Sequence, residues 1–467
     1  MRTETSSGKL DTIVIGWGKG GKTLAGALAR AGEKVAIVEQ SAQMYGGTCI
    51  NIGCVPTKAL IHDAEQHVEG IPASQKFDNA VQRRDDLTAL LRAKNYSMLN
   101  DLDSVLVLTG RASFTGSKSI KVRTEEEELE LSAARIIINT GAQPAVPEIP
   151  GASIGGRVHD STTIQHAPLP KSLVVVGGGY VGVEFASVFG QFGSKVTVLD
   201  RGKRALSKED ADVASEVQSC LEDAGVTILS KAQVTGISQD SSCATVSFEI
   251  GGEPRQISAD AVLIALGRTP ATRELNLEAA GIRSGERGEV VVDEFLATSA
   301  EGVYALGDVT GGAQFTYVSL DDHRVLANHL LGDGTRSTKD RVAVPYTIFC
   351  TPPLSRVGLS EDQARKQGLS IKTAVKKVAA VAAMPRPKIV GDPRDIIKFV
   401  VDAQDDQILG AALMHVDSQE VINLVALAMR QGMAASQLRD QIFTHPSSTE
   451  ALNEVLGELR EDEGSAN

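Results

Sequence analysis

Cysteine is scarce in this chain, with five residues among 467. So few, and an odd number, exclude a disulfide-stapled secreted scaffold and point to a reducing cytoplasm. Aromatic residues make up 4% of the sequence and tryptophan occurs once, which argues against an aromatic-rich β-sandwich. No run of about 18 apolar residues occurs, so no membrane-spanning helix is expected. Met1 to Leu10 is polar and lacks the apolar stretch of a secretory signal. Positive charge is in deficit: 47 Lys and Arg stand against 59 Asp and Glu, a formal net charge of -12. That balance excludes nucleic acid and an anionic membrane surface as partners.

Glycine, by contrast, is abundant at 45 residues, and hydrophobic residues reach 42%. This composition suits glycine-turned α/β folds with a sizeable core, and the length suggests about three domains. One plan occurs twice. Thr12 to Ile15 reads as a short buried strand entering Gly16-Trp17-Gly18-Lys19-Gly20-Gly21, followed by a helix to Ala31 and a strand from Val35 to Val38 that ends at Glu39. Leu173 to Val176 enters Gly177-Gly178-Gly179-Tyr180-Val181-Gly182, then a helix to Phe192 and a strand from Val196 to Leu199 ending at Asp200. Each acid lies 23 residues after the first glycine of its turn. Arg135 to Gly141 and Ala261 to Gly267 read as matching closing strands, with alternating, turn-rich segments before them. The acid run Thr124 to Leu131 reads as a solvated hairpin edge.

In such a turn the first glycine permits the bend, the second admits a pyrophosphate, and the third lets helix pack on strand. The pyrophosphate then sits at a helix N-terminus. Two copies with strand, helix and acid in place predict two Rossmann-type dinucleotide sites: Gly16, Gly18, Gly21 and Glu39 in one, Gly177, Gly179, Gly182 and Asp200 in the other. Asp200 would repel a 2′-phosphate, favouring NADH over NADPH, although Arg201 and Arg204 stand close by. Pro144 to Pro150 reads as a linker, Gly302 to Asp308 as a strand returning to the first sheet, and the chain from about Arg341 as a third, mixed α and β domain. Arg460 to Asn467 reads as a frayed tail.

Cys49 and Cys54 follow the first acid closely. Residues five apart do not face each other on a regular helix. They meet only across a distorted turn, which Gly53 and Pro56 permit. A short-range pair in a reducing compartment is redox-active or metal-binding. A closed zinc site wants about four ligands, and no second Cys/His cluster is evident.

Gly47-Thr48-Cys49 through Gly53-Cys54-Val55-Pro56-Thr57-Lys58 resembles the redox signature of the pyridine nucleotide-disulfide oxidoreductases. Ala305-Leu306-Gly307-Asp308 and His445-Pro446-Ser447-Ser448-Thr449-Glu450 extend the likeness, which runs from about Asp11 to Gly457. The resemblance implies a glutathione-reductase-like α/β fold with an FAD domain (1–146 and 272–340), an NAD(P)H domain (147–271) and a C-terminal α+β dimerisation domain (341–460). It implies electron flow from nicotinamide to FAD to a Cys49–Cys54 disulfide, with Cys54 against the flavin and Cys49 as the exposed interchange thiol. Gln40, Gly47, Thr48, Lys58, Thr140, Gly141 and Asp308 would join the FAD site. Tyr180, Glu184 and Gly267 would join the nicotinamide site, Lys58 and Glu184 as an ion pair and Tyr180 as a gate or as plain packing. His445, oriented by Glu450, would be the proton-transfer base, supplied across a homodimer whose active site is shared between subunits.

Within the family, Met384-Pro385-Arg386 and Asp392-Pro393-Arg394 are similar to mercuric reductases, but residues 461 to 467 carry no terminal cysteine pair. Phe443 stands where lipoamide dehydrogenases usually have a second His, and Asp200 where glutathione reductases usually place arginines. Residues 44–60, 314–324, 351–358 and 439–446 resemble the reactive-chlorine-resistance flavoproteins of the RclA group. That likeness implies a cytosolic enzyme that reduces copper(II), a metal-ion oxidant whose reduced form suits soft thiolates at Cys49 and Cys54. A dihydrolipoamide dehydrogenase, a mercuric-reductase-like enzyme and a low-turnover redox sensor are the alternatives. No structural metal site is expected. His62 and His67 read as surface histidines, and Cys220, Cys243 and Cys350 as inert thiols.

Overall fold

The computed structural model describes residues 10–66, 70–145 and 147–461. It divides into two compact units, one built from 1–63, 78–145 and 267–341, the other from 64–77, 146–266 and 342–467.

The first unit centres on a parallel sheet in the order Val105–Thr109, Val35–Glu39, Leu10–Ile15, Glu128–Ile138, Val303–Ala305. Ile13 and Ile15 pack into one core with Val38 and Ile138, while Val14 packs into another with Leu24, Ile37 and Ile137. Both faces are therefore covered, which is why these strands read as unbroken apolar runs. Helices Lys19–Arg30 and Thr316–Leu331 cover the second face through Leu24, Leu28, Val325 and Leu326. The chain order reverses beside Leu10–Ile15, so its carboxyl end opens at the switch point where ligands bind in such sheets. The returning strand predicted near Gly302 is present as Val303–Ala305, paired with Ile136–Ile138. Residues Thr124 to Glu127 turn a hairpin between Ser119–Arg123 and Glu128–Ile138, with Glu125 to Glu128 exposed.

The second unit repeats the plan. Its parallel sheet runs Thr227–Ser230, Lys195–Asp200, Ser172–Val176, Ala261–Ile264, Val158–His159. A three-stranded antiparallel sheet, Ala232–Gln239, Ala244–Ile250 and Glu253–Ala259, packs against it through Val234, Val246 and Val262. The C-terminal part is an antiparallel sheet ordered Tyr346–Ile348, Leu354–Gly358, Ile408–Met414, Ile396–Asp402, Ile371–Lys377, Arg460–Glu461. Helix Ser418–Arg430 lays Val421, Ile422 and Val425 on its core.

Two expectations change. The segment between the first glycine turn and its closing strand is not only turn-rich: it contains the 28-residue helix Ala73–Asn100. Phe77, Ala80 and Leu99 are buried on it, yet Leu90 and Met98 are exposed and charges surround it, so no clean apolar stripe marks it. Arg460 and Glu461 are not frayed but pair with Thr373 and Lys372. The rest of that tail and His67 lie outside the described residues. Among the described residues no helix is long and apolar enough to cross a membrane.

Asp395, just before the strand Ile396–Asp402, is buried with φ +90°. The Cys220 thiol donates to its Oδ1 at 2.9 Å, and its Oδ2 has no hydrogen-bond partner. Burial raises the carboxyl to about 6. Ionising it therefore costs the folded state alone: the cost is absent below about pH 4, builds towards the raised value and is complete above it. Asp395→Gly relieves both the left-handed strain and the buried charge. It is expected to stabilise the protein by about 1–2 kcal/mol near neutral pH in denaturant titration, and by less at about pH 5. No gain at either pH would contradict this account.

Candidate active site

Both glycine turns are built alike. Gly16 and Gly177 have φ of +99° and +112°. A Cβ on Gly177 would come within 2.6 Å of Ala265 O, and one on Gly16 would collide with Asn139 O. The N–H after each first glycine donates to the predicted acid: Trp17 N to Glu39 Oε2 at 2.9 Å, Gly178 N to Asp200 Oδ2 at 2.8 Å. Each acid thus braces its own turn. Burial raises the Glu39 carboxyl to about 7 against the opposing pull of the Trp17, Ser41 and Gln40 backbone N–H groups. The helices that follow, Lys19–Arg30 and Tyr180–Gln191, have no side-chain cap on Gly18 or Gly179 and no acid in the first turn. The N-terminus of Tyr180–Gln191 is therefore suited to an anion, whereas on Lys19–Arg30 Gly20 N and Gly21 N already donate to Ser319 Oγ at 3.1 Å and Asn139 Oδ1 at 2.8 Å. Around Gly179 there is open space where a Cβ would stand.

Sequence reasoning missed Asn139. Buried beneath the first turn, its Oδ1 accepts from Gly21 N at 2.8 Å and its Nδ2 donates to Leu306 O at 2.7 Å. A Cβ on Gly21 would lie 2.6 Å from Oδ1, so the third glycine is required by this side chain as much as by helix packing. Its place just before the predicted contacts Thr140 and Gly141 was the available signal. Thr140 Oγ1 is buried without a hydrogen-bond partner, and Gly141 has φ +73° with open space beside it. Asp308 follows Gly307, and its carboxyl is raised by burial, with Arg268 opposing.

The cysteines sit where a helix breaks. Gly47–Asn51 is one helix and Cys54–Glu65 the next. Gly53 N donates to Thr48 O at 2.7 Å and closes the turn between them. Pro56 falls in the first turn of the second helix, where a missing N–H costs nothing. The two thiols are hydrogen-bonded to each other. Cys54, then burial, push the Cys49 thiol up, while Thr316 and Lys22 pull the other way. Thr316 Oγ1 lies 3.7 Å from Cys54 Sγ. Cys54 is exposed and Cys49 half-buried in the single chain, the reverse of the exposure that the resemblance implies. Lys22, also unpredicted, is buried on the first Rossmann helix, bonded to Asn95 Oδ1 and lowered to about 8 chiefly by burial. Gly47 packs on Gly18, where a Cβ would come within 2.9 Å of Gly18 Cα, so the cysteine helix abuts the glycine turn. Gln40 is exposed and Thr48 half-buried beside these elements.

Lys58 lies on the second cysteine helix of the first unit, and Gly267 opens that unit's last segment. In the second unit Glu184 Oε1 accepts from Phe349 N at 2.8 Å. A Cβ on Gly182 would overlap Gly177 O. Tyr180 starts its helix and is tied through its hydroxyl to Glu209 and Tyr346. His445 Nδ1 lies 2.9 Å from Glu450 Oε1, and Ser447 N donates to Oε2 at 2.8 Å. Burial opposes it, but those two partners hold the Glu450 carboxyl below its usual range. Arg201 is exposed, and Arg204 donates to Glu209 O at 3.0 Å. His62 is exposed on the cysteine helix. Cys220 and Cys350 are buried, and burial pushes both thiols up, Cys350 to about 12; Cys243 is half-buried. Among the described residues no group of three or more His, Cys, Asp or Glu is placed to hold a metal ion.

Replacing Asn139 by Ala leaves a buried N–H and a buried C=O unpaired. A loss of about 2–4 kcal/mol is expected in denaturant titration, together with reduced bound dinucleotide per chain. Unchanged stability and unchanged occupancy would show that the turn closes without it.

Residues 10–322 match the pyridine nucleotide-disulphide oxidoreductase family model, and residues 344–456 its dimerisation domain. Over 449 residues the chain is 48% identical to the Escherichia coli (strain K12) protein named probable pyridine nucleotide-disulfide oxidoreductase RclA, covering 96% of this chain and 99% of that one. It is 33% identical to a Staphylococcus aureus dihydrolipoyl dehydrogenase, covering 96% and 97%. A mercuric reductase from Staphylococcus aureus is 32% identical, covering 95% and 81%. The solved Cu(II) complex of the HOCl-induced flavoprotein disulfide reductase RclA from Escherichia coli superimposes with a TM-score of 0.91 at 48% identity, covering 96% of this chain and 99% of that one. The fold has the glutathione-reductase-like architecture, and the chain belongs to the pyridine nucleotide-disulfide oxidoreductases, flavoprotein enzymes that use FAD and NAD(P)H.

Proposed function

We propose that this enzyme is an NADH-preferring metal reductase that passes electrons through Cys49 and Cys54 to copper(II), in defence against reactive chlorine. The observation that carries the reading is the pair of adjacent thiols at a helix break, beside the first glycine turn. The likeness to RclA, one of whose solved structures is a Cu(II) complex, supports copper as the oxidant.

The first glycine turn, with Glu39, Gln40, Gly47, Thr48, Lys58, Thr140, Gly141 and Asp308, would hold FAD in the domain 1–146 and 272–340. The buried, partnerless Thr140 hydroxyl fits such a ligand. The second turn, with Tyr180, Glu184, Asp200 and Gly267, would hold NADH in the domain 147–271. The uncapped, open Gly179 fits a pyrophosphate. Residues 341–460 would form the homodimer interface. A cycling dithiol suits a reducing cytoplasm.

FAD, when bound, supplies the two-electron step between NADH and the cysteine pair. The Cys49–Cys54 disulfide takes up two electrons and two protons, its S–S bond breaks, and two thiols form. Two copper(II) ions then take one electron each, leaving as copper(I), while the S–S bond reforms and two protons depart. Thiolates are soft donors, so they favour the copper(I) product over the copper(II) substrate. His445 of the partner subunit would accept a thiol proton. Glu450 at Nδ1 fixes its tautomer and leaves Nε2 as the acceptor. Cys54 would face the flavin and Cys49 the substrate. Dihydrolipoyl dehydrogenase activity is the second reading, favoured by the 33% identity, with Phe443 standing against it.

Purified holoenzyme is expected to oxidise NADH anaerobically with copper(II) as acceptor, to lose that turnover by at least about a hundredfold in Cys54→Ser, and to respond weakly to lipoamide. Brisk lipoamide turnover without copper turnover would replace this reading by the second. Asp200 further predicts a kcat/KM for NADH at least about tenfold above that for NADPH, with Asp200→Ser narrowing the ratio. An NADPH preference in the parent enzyme would refute the role given to Asp200.

A further inference from the structure

Tyr180 is the first residue of the helix that follows the second glycine turn, and its hydroxyl is not loose. It lies 3.1 Å from Glu209 Oε1 and 3.2 Å from the Tyr346 hydroxyl. Tyr346 itself donates to the same Glu209 oxygen at 2.7 Å. The two phenol rings stack, with centroids 5.3 Å apart and planes at 26°. Burial pushes the Tyr180 phenol up to about 12 and pushes Tyr346 up as well, so both hydroxyls keep their protons and remain donors across the neutral range.

The acceptor is anchored. Glu209 is 2% exposed, and its other oxygen lies 3.3 Å from Arg356 Nη1. Arg356 is 4% exposed, on the strand Leu354–Gly358, and the next carboxylate, Asp210, is held by Lys398 at 3.3 Å. Such a carboxylate is shielded from water, and its Oε2 has the Arg356 ion pair but no hydrogen bond. Hydrogen bonds to it are charge-assisted and stronger than neutral ones.

We propose that Glu209 and Tyr346 are positioning residues that latch Tyr180, and that nicotinamide entry requires this latch to open. The proposal rests on the reading that Tyr180 borders the nicotinamide site. It adds what sets the resting position of that side chain: a buried carboxylate and a second tyrosine, Tyr346, carried by the short strand Tyr346–Ile348 in the C-terminal part of the same unit. Opening the latch must break a charge-assisted bond before the nucleotide contributes any contact, so it appears as weakened NADH binding and not as slower chemistry.

The test uses FAD-loaded enzyme. NAD+ binding is measured by calorimetry, and flavin reduction by stopped flow over a range of NADH concentrations. Tyr346→Phe removes one hydroxyl and keeps the ring stack. Glu209→Gln keeps the shape and weakens the acceptor. Each is expected to tighten the dissociation constant for NAD+ and NADH by about threefold to tenfold, with the limiting reduction rate unchanged. Should Glu209→Gln misfold beside an uncompensated Arg356, Tyr346→Phe alone decides. Unchanged or weaker nucleotide binding in Tyr346→Phe overturns the latch. Tyr180→Ala separates the two levels. If it alters nucleotide binding while Tyr346→Phe does not, the latch is wrong and the nicotinamide site stands. If Tyr180→Ala leaves binding untouched, Tyr180 does not border that site and both readings fall.

Discussion

One backbone carbonyl, that of Thr48, brings the two thiols together. It accepts from Gly53 N as the short helix Gly47–Asn51 ends, and the next helix starts at Cys54. On one continuous helix, residues five apart point in different directions. The break turns Cys54 back towards Cys49 and makes a hydrogen-bonded pair of what would be two isolated side chains. The packing of Gly47 on Gly18 then ties that pair to the glycine turn, so the redox pair and the dinucleotide turn share one piece of backbone.

The acids at the strand ends have a double use. Glu39 and Asp200 each accept the N–H that follows the first glycine, and so close the turn before any ligand arrives. A carboxylate oxygen accepts more than one hydrogen bond, so bracing the backbone does not rule out binding a ribose. The two turns differ beneath the surface. Asn139 fills the space under the first turn and holds Gly21, whereas in the second Gly177 and Gly182 approach each other directly. The turns read alike in sequence because the glycine spacing is set by local backbone conformation. The residue underneath arrives from a distant strand and has no such spacing.

Buried charges form a cluster in the second unit. Glu209, Asp210, Arg356 and Lys398 come from two strands of the C-terminal sheet and from the loop after the second acid. Charged pairs of this kind contribute little net stability relative to apolar packing, but breaking one leaves an uncompensated charge. They fix geometry, and the fixed geometry here includes the hydroxyl of Tyr180. Asp395 is the contrasting case: a buried carboxyl at positive φ with one oxygen unpaired.

The glycine turns, the acids that end the strands Val35–Glu39 and Lys195–Asp200, the closing strands and the cysteine motif were all legible in the sequence, because each depends on residues within a few turns of chain. Glycine needs no neighbour to adopt positive φ, and a strand buried on both faces must be apolar at every position. The helix Ala73–Asn100 was not legible, since its charges spread around the axis and Phe77, Ala80 and Leu99 are its few fully buried apolar side chains. Nor were Asn139, Lys22 and the Glu209–Tyr346 pair, because a buried polar residue is defined by its partners. Those partners lie 73 to 167 residues away. Local chemistry therefore determined what kind of sites this chain carries, while only the tertiary structure decided which side chains hold them in place, since long-range hydrogen bonds leave no periodic mark on a sequence.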